Sequence, residues 1–426
     1  MDPEDRLFRP RNALAAAAAL AIVLGLSHGS AGALAFGGAL ALLLLSASIY
    51  ARVGAARLAA FRDLAPRAFE DDRVDVRFRV ENRSSLPLYC VEIEDHFPAD
   101  RVPAKRALVH PRLGARQAAI ATYRADCDVK RGPYAIGPVI ARAGDPLGLV
   151  ERPRVLDAYQ KLVVYPRAHP VARIHWGGGG LRFDVGALES AAAGAGLEFL
   201  GTREYRPGDC LRFIHWPSTA RAGRIIVKEF EEVAAADVAV FLDLHRFSLK
   251  GLGRVSTLEY AIRIAASVAV HVARGRNRLQ LHARGARPVH VPKGAGEVHL
   301  ARILHELAHV RADGETPFAR VLRETAPLLD PGATAVPIFT SLDVDLAEYA
   351  DILALYRAHR VRVVAVLIDD GTFLKLYEEQ EAREREAPTV PAAVAALLAE
   401  GATVYTVARQ DDISTRLDLP YSARFR

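Results

Sequence analysis

Cysteine, methionine, tryptophan and lysine are all scarce in this chain. Three cysteines in 426 residues (Cys90, Cys127 and Cys210) make no disulfide framework. So sparing a use of thiols fits a reducing compartment. Lysine occurs seven times, so 49 of the 56 basic residues are arginine. A formal net charge of +6 over this length is too dilute for a nucleic-acid-binding stripe, and no nucleic-acid partner is expected. Glycine and proline, at 31 and 24, are too few and too irregular for a collagen-like chain. With 51% apolar and 25% charged residues the chain is not of the disordered class, and its length suits two or three domains. Several catalytic signatures are also missing: no Walker A loop, no G-x-S-x-G elbow, no G-x-G-x-x-G after a strand.

What is present begins with a run from Ala13 to Tyr50 that holds no charge over 38 residues. One helix of that length is roughly twice as long as a bilayer core is thick. Ser27-His28-Gly29-Ser30 and Gly32 supply a turn. The expected hairpin has spans at Ala13–Leu26 and Ala31–Tyr50, packed through small residues. Arg6, Arg9 and Arg11 precede it, Arg52, Arg57, Arg62 and Arg67 follow it, and the loop between carries no Lys or Arg. The positive-inside rule then places both ends in the cytoplasm, as a two-span protein of the inner membrane. A signal peptide cleaved near Ala31-Gly32-Ala33 is the rival reading; the second span that starts at once argues against it.

The remainder changes rhythm twice. Over 68–165 apolar residues alternate: Val74, Val76, Phe78 and Val80 face one way, Asp75, Arg77 and Arg79 the other. Leu88–Phe97, Ala119–Cys127, Tyr134–Ala141 and Leu162–Tyr165 continue the period between Pro, Gly and Asn turns, which predicts a small β-sandwich with Cys90 and Cys127 as buried residues. Residues 168–236 form a linker and signature segment, low in complexity at Gly177–Gly180 and Ala191–Gly196. Over 237–410, strands at Val238–Leu244, Leu279–Ala283, Val336–Thr340, Val361–Ile368 and Thr403–Val407 alternate with helices at Thr257–Arg274, Glu297–Arg311, Asp345–Arg360 and Pro391–Glu400. That pattern predicts an α/β open sheet, mostly parallel, with helices on both faces. Residues 1–62 are the membrane hairpin with its flanks and 411–426 a tail.

The signature segment holds Glu198-Phe199, Arg203-Glu-Tyr-Arg-Pro-Gly-Asp209, Arg212-x-x-His215-Trp216, Ser218-x-Ala220-Arg221 and Val227-Lys-Glu229. Together these resemble the bacterial family known as domain of unknown function 58. Upstream, Lys130-Arg-Gly-Pro-Tyr-x-Ile-Gly-Pro138 and Gly144-Asp-Pro-Leu-Gly-Leu149 resemble the same family's sandwich region. The resemblance implies a von Willebrand factor A-like domain at the C-terminal side. It also implies a protein partner of the MoxR-type AAA+ ATPase class, which family members often neighbour in the genome along with transglutaminase-like membrane proteins. Read physically, Arg206-Pro-Gly-Asp209 is a turn. Arg203, Glu204, Arg206, Asp209, Arg212, His215 and Arg221 form a set suited to bidentate ion pairs, and Arg203, Tyr205, Arg206, Asp209, Arg212, His215, Trp216 and Arg221 are the candidate binding residues. Three uses are open to it: an internal polar network, a docking or anion-binding surface, or a catalytic site with Cys210 beside His215, which lacks a third orienting group.

Two stretches resemble metal sites, and no cofactor is expected at either. An A-type domain implies Asp-x-Ser-x-Ser after its first strand, with oxygen donors for a hard divalent ion. Here the stretch is Asp243-Leu-His245-Arg-Phe247: Asp243 is in place, the two serine positions are His and Phe, and Ser248 falls one residue late. Asp343 and Asp369 follow later strands toward the same edge. His305-Glu306-Leu-Ala-His309 is a literal H-E-x-x-H, in which two histidines would ligate zinc and Glu306 would act as base. On a helix, however, the apolar stripe of Leu300, Ile303, Leu304 and Leu307 turns both histidines away from the core. Glu315 and Glu324 are available as a third ligand but belong to no further motif. The balance favours a membrane-anchored, cytoplasm-facing interaction protein rather than an enzyme, with Asp243 and Arg246 as charged members of a docking edge. A zinc hydrolase and a polar-ligand module using the arginine-rich signature are the alternatives.

Overall fold

A computed structural model of the chain describes residues 10–156, 158–176, 197–205, 214–232, 236–342, 345–374 and 389–424. Contacts divide it into two compact units, Met1–Tyr165 and Pro166–Arg426.

The first unit opens with helices α1 (Pro10–His28) and α2 (Ala31–Ala56). Gly29 turns the chain at φ +64°, and the Ser30 hydroxyl caps α2 by accepting from Ala33 N at 3.3 Å. Small residues let the helices meet: a Cβ at Gly37 would lie 2.7 Å from the Ile22 side chain. Only 11% of each apolar window is buried, unlike a core helix. Both helices are long and apolar enough to cross a membrane. The second runs past the uncharged stretch, which ends at Tyr50, because its last turns dock on the sheets that follow. Ala47 and Ala51 pack on Leu149 and Val150. A Cβ at Gly54 would lie 2.3 Å from Leu88, and the Tyr50 hydroxyl donates to Pro87 O. Arg154 then donates to the carbonyls of Ala55, Ala56 and Leu58, satisfying the open end of the helix with a positive charge. The Gly144–Leu149 motif is part of this seat: Asp145 fixes its loop by accepting from Leu147 N at 2.8 Å and Val150 N at 2.6 Å.

Ten strands follow: β1 (Leu58–Asp63), β2 (Arg67–Phe69), β3 (Arg73–Asn82), β4 (Leu88–His96), β5 (Ala104–Leu113), β6 (Ala118–Asp126), β7 (Gly132–Ile136), β8 (Val139–Gly144), β9 (Glu151–Leu156) and β10 (Gln160–Tyr165). They form three sheets, ordered β1-β3-β6, β2-β10-β7 and β5-β4-β8-β9, around one apolar core. The period-two pattern of β3 is realised: Val74, Val76, Phe78 and Val80 are buried and Asp75, Arg77 and Arg79 exposed. Inside this unit Asp95 is clamped by Arg62 through Nε (3.0 Å) and Nη2, and it accepts from Tyr123 OH at 2.6 Å. Cys127 is buried, which pushes its thiol up to about 12. Cys90 is not: it is exposed, at φ +48°, beside a bulge in β4.

The second unit begins with a strap fastened to its own α/β body. His169 N donates to Ser267 Oγ at 2.8 Å and His175 N to Tyr405 OH at 2.7 Å, so this part of the expected linker is pinned. An antiparallel pair, β11 (Leu197–Glu204) and β12 (Ile226–Glu232), brackets a short helix, α3 (Trp216–Ala222). The body contains β13 (Asp237–Leu242), a small hairpin β14 (Gly251–Leu252) and β15 (Val255–Ser256), β16 (Arg278–Arg284), β17 (Pro288–Gly294), β18 (Thr334–Phe339), β19 (Arg362–Ile368) and β20 (Thr403–Val407). Its six-stranded sheet is ordered β17-β16-β13-β18-β19-β20, parallel except for β17. The helices are α4 (Thr257–Arg274), α5 (Glu297–His309), α6 (Phe318–Thr325), α7 (Leu346–Ala358), α8 (Val390–Ala399) and α9 (Ile413–Asp418). Ala239 and Phe241 of β13 and Ala365 and Leu367 of β19 share a cluster with α6, α7 and α8, while α4 packs against β13, β16, β18 and β19 from the other face. The α4 boundaries follow from its caps: Ser256 Oγ accepts from Glu259 N, and Gly275 ends the helix. The edge strand β17 escapes the apolar-run rule because only alternate residues, Val289 and Val291, are buried. Two apolar helices followed by a sheet-rich mixed α/β body is the resulting architecture.

Candidate functional site

The sheet order reverses between β13 and β18, since β16 lies on one side of β13 and β18 on the other. In open α/β sheets the crevice beyond the carboxyl ends of the strands at such a point is the usual ligand position. Asp243 follows β13 there, Thr340 and Ser341 follow β18, and Asp369 and Asp370 follow β19. Asp243 is buried and accepts from His245 N at 2.9 Å, from the Thr340 hydroxyl at 2.8 Å and from the Ser248 hydroxyl. Burial raises its pKa above the ordinary carboxylate range against those donors. Ser341 Oγ donates to Asp370 Oδ2 at 2.8 Å, and burial raises Asp370 as well. Asp369 is raised by burial and then by the charge of Asp370. Asp343 lies outside the described residues.

The two positions where an A-type site implies serine supply no hydroxyl, being His245 and Phe247. Phe247 has no donor atom, and its ring meets His245 edge-on, with centroids 5.4 Å apart. The Arg246 guanidinium lies 4.8 Å from the Phe247 centroid and pairs with Glu315 at 3.0 Å. Asp243 and Asp370 are each committed to hydroxyl donors. Among the described residues no group of three or more His, Cys, Asp or Glu is arranged to hold a metal. Asp243 is also too buried to present a charge to a partner, so of the two expected docking charges only Arg246 is at the surface.

What the same edge does present is apolar. Phe247 is 68% exposed, Leu249 41%, Leu252 74% and Val255 41%, all within one loop and hairpin. Gly251 is at φ +79° and a Cβ there would meet Val255 O at 2.4 Å, so the hairpin is tightly closed. Contiguous exposed apolar surface is the kind on which protein partners dock. In the sequence Phe247 stands only as a lost metal position. The available signal was four large apolar residues around two glycines, in a stretch too short for a core strand.

The signature residues are partly described. Arg203 and Tyr205 are half-buried at the end of β11 and Tyr205 N donates to Ile225 O at 2.9 Å. His215 Nδ1 lies 2.7 Å from Ser218 Oγ at the start of α3. Trp216 is 68% exposed and Arg221 is exposed, so neither belongs to an internal network. Arg206, Asp209, Arg212 and Cys210 lie outside the described residues. In α5, Ile303, Leu304 and Leu307 are buried and His305 is exposed, as the helical stripe requires. His305 and His309 have ring centroids 4.4 Å apart, Glu306 lies between them half-buried, and His309 Nδ1 is 2.8 Å from His305 O. Of the third-ligand candidates, Glu315 pairs with Arg246, and Glu324 with Arg284 and Arg320.

Comparison with known proteins places this region. Residues 201–386 match the family model described as Protein of unknown function DUF58. An uncharacterized protein of Bacillus subtilis (strain 168), YeaD, is 26% identical over 264 residues, covering 59% of this chain and 62% of that relative. The chain thus spans about three fifths of the curated relative it matches. Among solved structures, a Pseudomonas fluorescens alkylpurine DNA glycosylase AlkC bound to DNA with an abasic site analog is 14% identical. It covers 33% of this chain and 42% of that one at TM-score 0.19. A Vibrio harveyi GH20 exo-β-N-acetylglucosaminidase is 9% identical, covering 74% and 57% at TM-score 0.20. Likeness at such TM-scores bears on neither fold nor function. The DUF58 match thus runs over residues 201–386, from β11 through β19, and the chain is similar to YeaD over 264 residues.

Proposed function

We propose that this protein is a membrane-anchored adaptor whose α/β body docks a protein partner at the carboxyl edge of its sheet. The observation that carries the proposal is the exposed cluster of Phe247, Leu249, Leu252 and Val255 beside the switch point. On this reading the three sheets of the first unit are a β-sandwich. The second unit, with strand order β17-β16-β13-β18-β19-β20 and one antiparallel edge, is a von Willebrand factor A-like domain whose metal position has been replaced by an apolar one. The flanking arginines orient the hairpin with both soluble units on the cytoplasmic side of the inner membrane. Family resemblance points to a MoxR-type AAA+ ATPase as the partner, with a role in assembling or maturing envelope or multi-subunit complexes. No reaction is assigned, since neither the carboxylate edge nor the His305–His309 pair of α5 joins a nucleophile to an oriented base.

Crosslinked affinity purification of the full-length protein from its native membrane, read by mass spectrometry, tests this reading. An AAA+ ATPase is expected to co-purify with the wild type and to be lost with Phe247→Asp or Leu252→Asp, both surface changes that leave the core intact. An ATPase retained by both variants removes this edge as the docking face. No ATPase above a control membrane protein ends the adaptor reading.

A further inference from the structure

We infer that the first unit carries a binding site for an anionic phospholipid headgroup, in a hollow between β3 and the β5–β6 turn. This inference rests on the membrane-anchor reading of α1 and α2. The hollow, about 390 Å³, is lined by Arg79, Glu81, Asn82, Arg83, Arg116 and Gln117. Three guanidiniums face one carboxylate there. Glu81 bridges Arg79 at 3.1 Å and Arg83 at 3.1 Å, which orders both without cancelling the positive charge. The Arg116 side chain makes no ion pair among the described residues. Its backbone is left-handed, at φ +55°, a conformation that glycine or asparagine adopts more readily than arginine. From that turn Arg116 brings a third guanidinium to the hollow.

The floor is built rather than incidental. Asn82 is buried and donates through Nδ2 to Leu86 O at 2.8 Å and Gly114 O at 2.9 Å, while Asn82 N donates to Gln117 O at 2.9 Å. Gly114 N donates to Gln117 Oε1 at 3.0 Å, closing the turn that carries Arg116. Exposed apolar groups flank the arginines: Phe61 and Ile120 pair with Arg79 across β1 and β6, and the Arg83 guanidinium lies 5.5 Å from the Phe61 centroid. Fixed guanidiniums with apolar neighbours suit a phosphodiester that carries acyl chains.

Position supplies the rest. Ala31–Tyr50 spans about 30 Å as a helix, the thickness of a hydrocarbon core. Arg57 follows the end of α2, about 10 Å beyond Tyr50 along the helix axis. Arg83 N donates to Arg57 O at 3.0 Å, and Leu58 pairs with Asn82, so the hollow sits at the level where the helix leaves the membrane. That is within about a Debye length, ~8 Å, of the headgroup layer.

The test uses the full chain in detergent, stripped of endogenous lipid, with retained lipid read by native mass spectrometry. The probes are phosphatidylglycerol, phosphatidylcholine and inorganic phosphate. Wild type is expected to retain phosphatidylglycerol over phosphatidylcholine. Arg79→Ala and Arg116→Gly should each weaken that retention about fivefold, the effect of one cationic side chain near an anionic surface. Arg116→Gly suits the left-handed backbone, so loss of fold does not confuse the result. Arg73→Ala, at the far end of β3, should change nothing. Equal retention by wild type and both variants overturns the site, and displacement by equimolar inorganic phosphate overturns the lipid as its source. Carbonate washing of native membranes reads the anchor separately: a chain that washes off sinks both ideas, whereas one that stays but shows no lipid preference sinks only the hollow.

Discussion

Asp95 and Asp243 are both buried carboxylates, one in each unit, and burial raises the pKa of both. Their partners differ in kind. Asp95 has a guanidinium in two-point contact and a phenol, and Arg62 goes on to donate to Ile136 O and Ala158 O, each at 3.1 Å. Asp243 has a backbone N–H and two hydroxyls, with no Lys or Arg contact among the described residues. The first is a complete electrostatic unit inside a core, with every strong donor committed. The second is a charge held at a sheet edge by neutral dipoles alone, in the position where related architectures place a ligand. A buried carboxylate with a guanidinium is a structural element; one with only neutral donors is free to be a remnant of a site.

The largest effect that would sharpen this contrast lies at the first aspartate. Asp95→Asn or Arg62→Ala strands a buried partner and should cost the first unit about 3–5 kcal/mol. Hydrogen exchange of the β3 and β6 amides in the full chain reads this, and protection in β13 and β18 should be unchanged. Loss of protection in both units together would break the comparison.

A mid-sized effect belongs to His282 of β16. It is buried, stacks on Phe241 with centroids 5.1 Å apart, and has His290 Nδ1 at 3.3 Å from its own Nδ1. Burial, and then the charge of His290, lower its pKa from 6.5 to about 4. The unfolded chain therefore binds this proton first, and its contribution to stability, complete above 6.5, is lost as pH falls toward 4. The loss is about 2–3 kcal/mol. Asp243, Asp370 and Asp369 shift the opposite way, so the informative quantity is the difference between wild type and His282→Gln across that window. An identical pH profile for the two would remove His282 as a source of acid sensitivity.

The smallest effect is at the second aspartate. Asp243→Asn keeps an acceptor for His245 N and removes a charge that burial penalises, so stability at neutral pH should stay within about 1 kcal/mol of wild type or rise. A loss as large as that of Asp95→Asn would show that Asp243 has a cationic partner after all, and the two carboxylates would no longer differ in kind.

Much of this organisation was legible in the residues. The uncharged run with its Gly29–Ser30 break, the alternation of β3 and the capped, amphipathic α4 each depend on neighbours a few positions apart, and local spacing decides them. The outward turn of His305 was legible for the same reason, whereas His309, at the last turn of α5, is half-buried. Other features were not. The end of α2 at Ala56 was set by Ala51, Gly54 and Arg154 meeting groups up to about a hundred residues away. Cys90 left the core through a bulge that no alternation rule contains, and β17 lacks a continuous apolar run because half of it faces out. Asp243 read as a surface charge and is buried. The exposure of Leu249, Leu252 and Val255 likewise depends on what fails to cover them.

Sequence alone thus determined the long helices and the buried strands, which of their faces are apolar, that two helices can cross a membrane, and the resemblance to DUF58. Those follow from periodicity, caps and ordered motifs, which are local. Tertiary structure decided which charges are buried, which apolar residues stay uncovered at the sheet edge, and which arginines gather below the second helix. Those depend on long-range juxtaposition, and a one-dimensional pattern carries no distance between residues far apart in the chain.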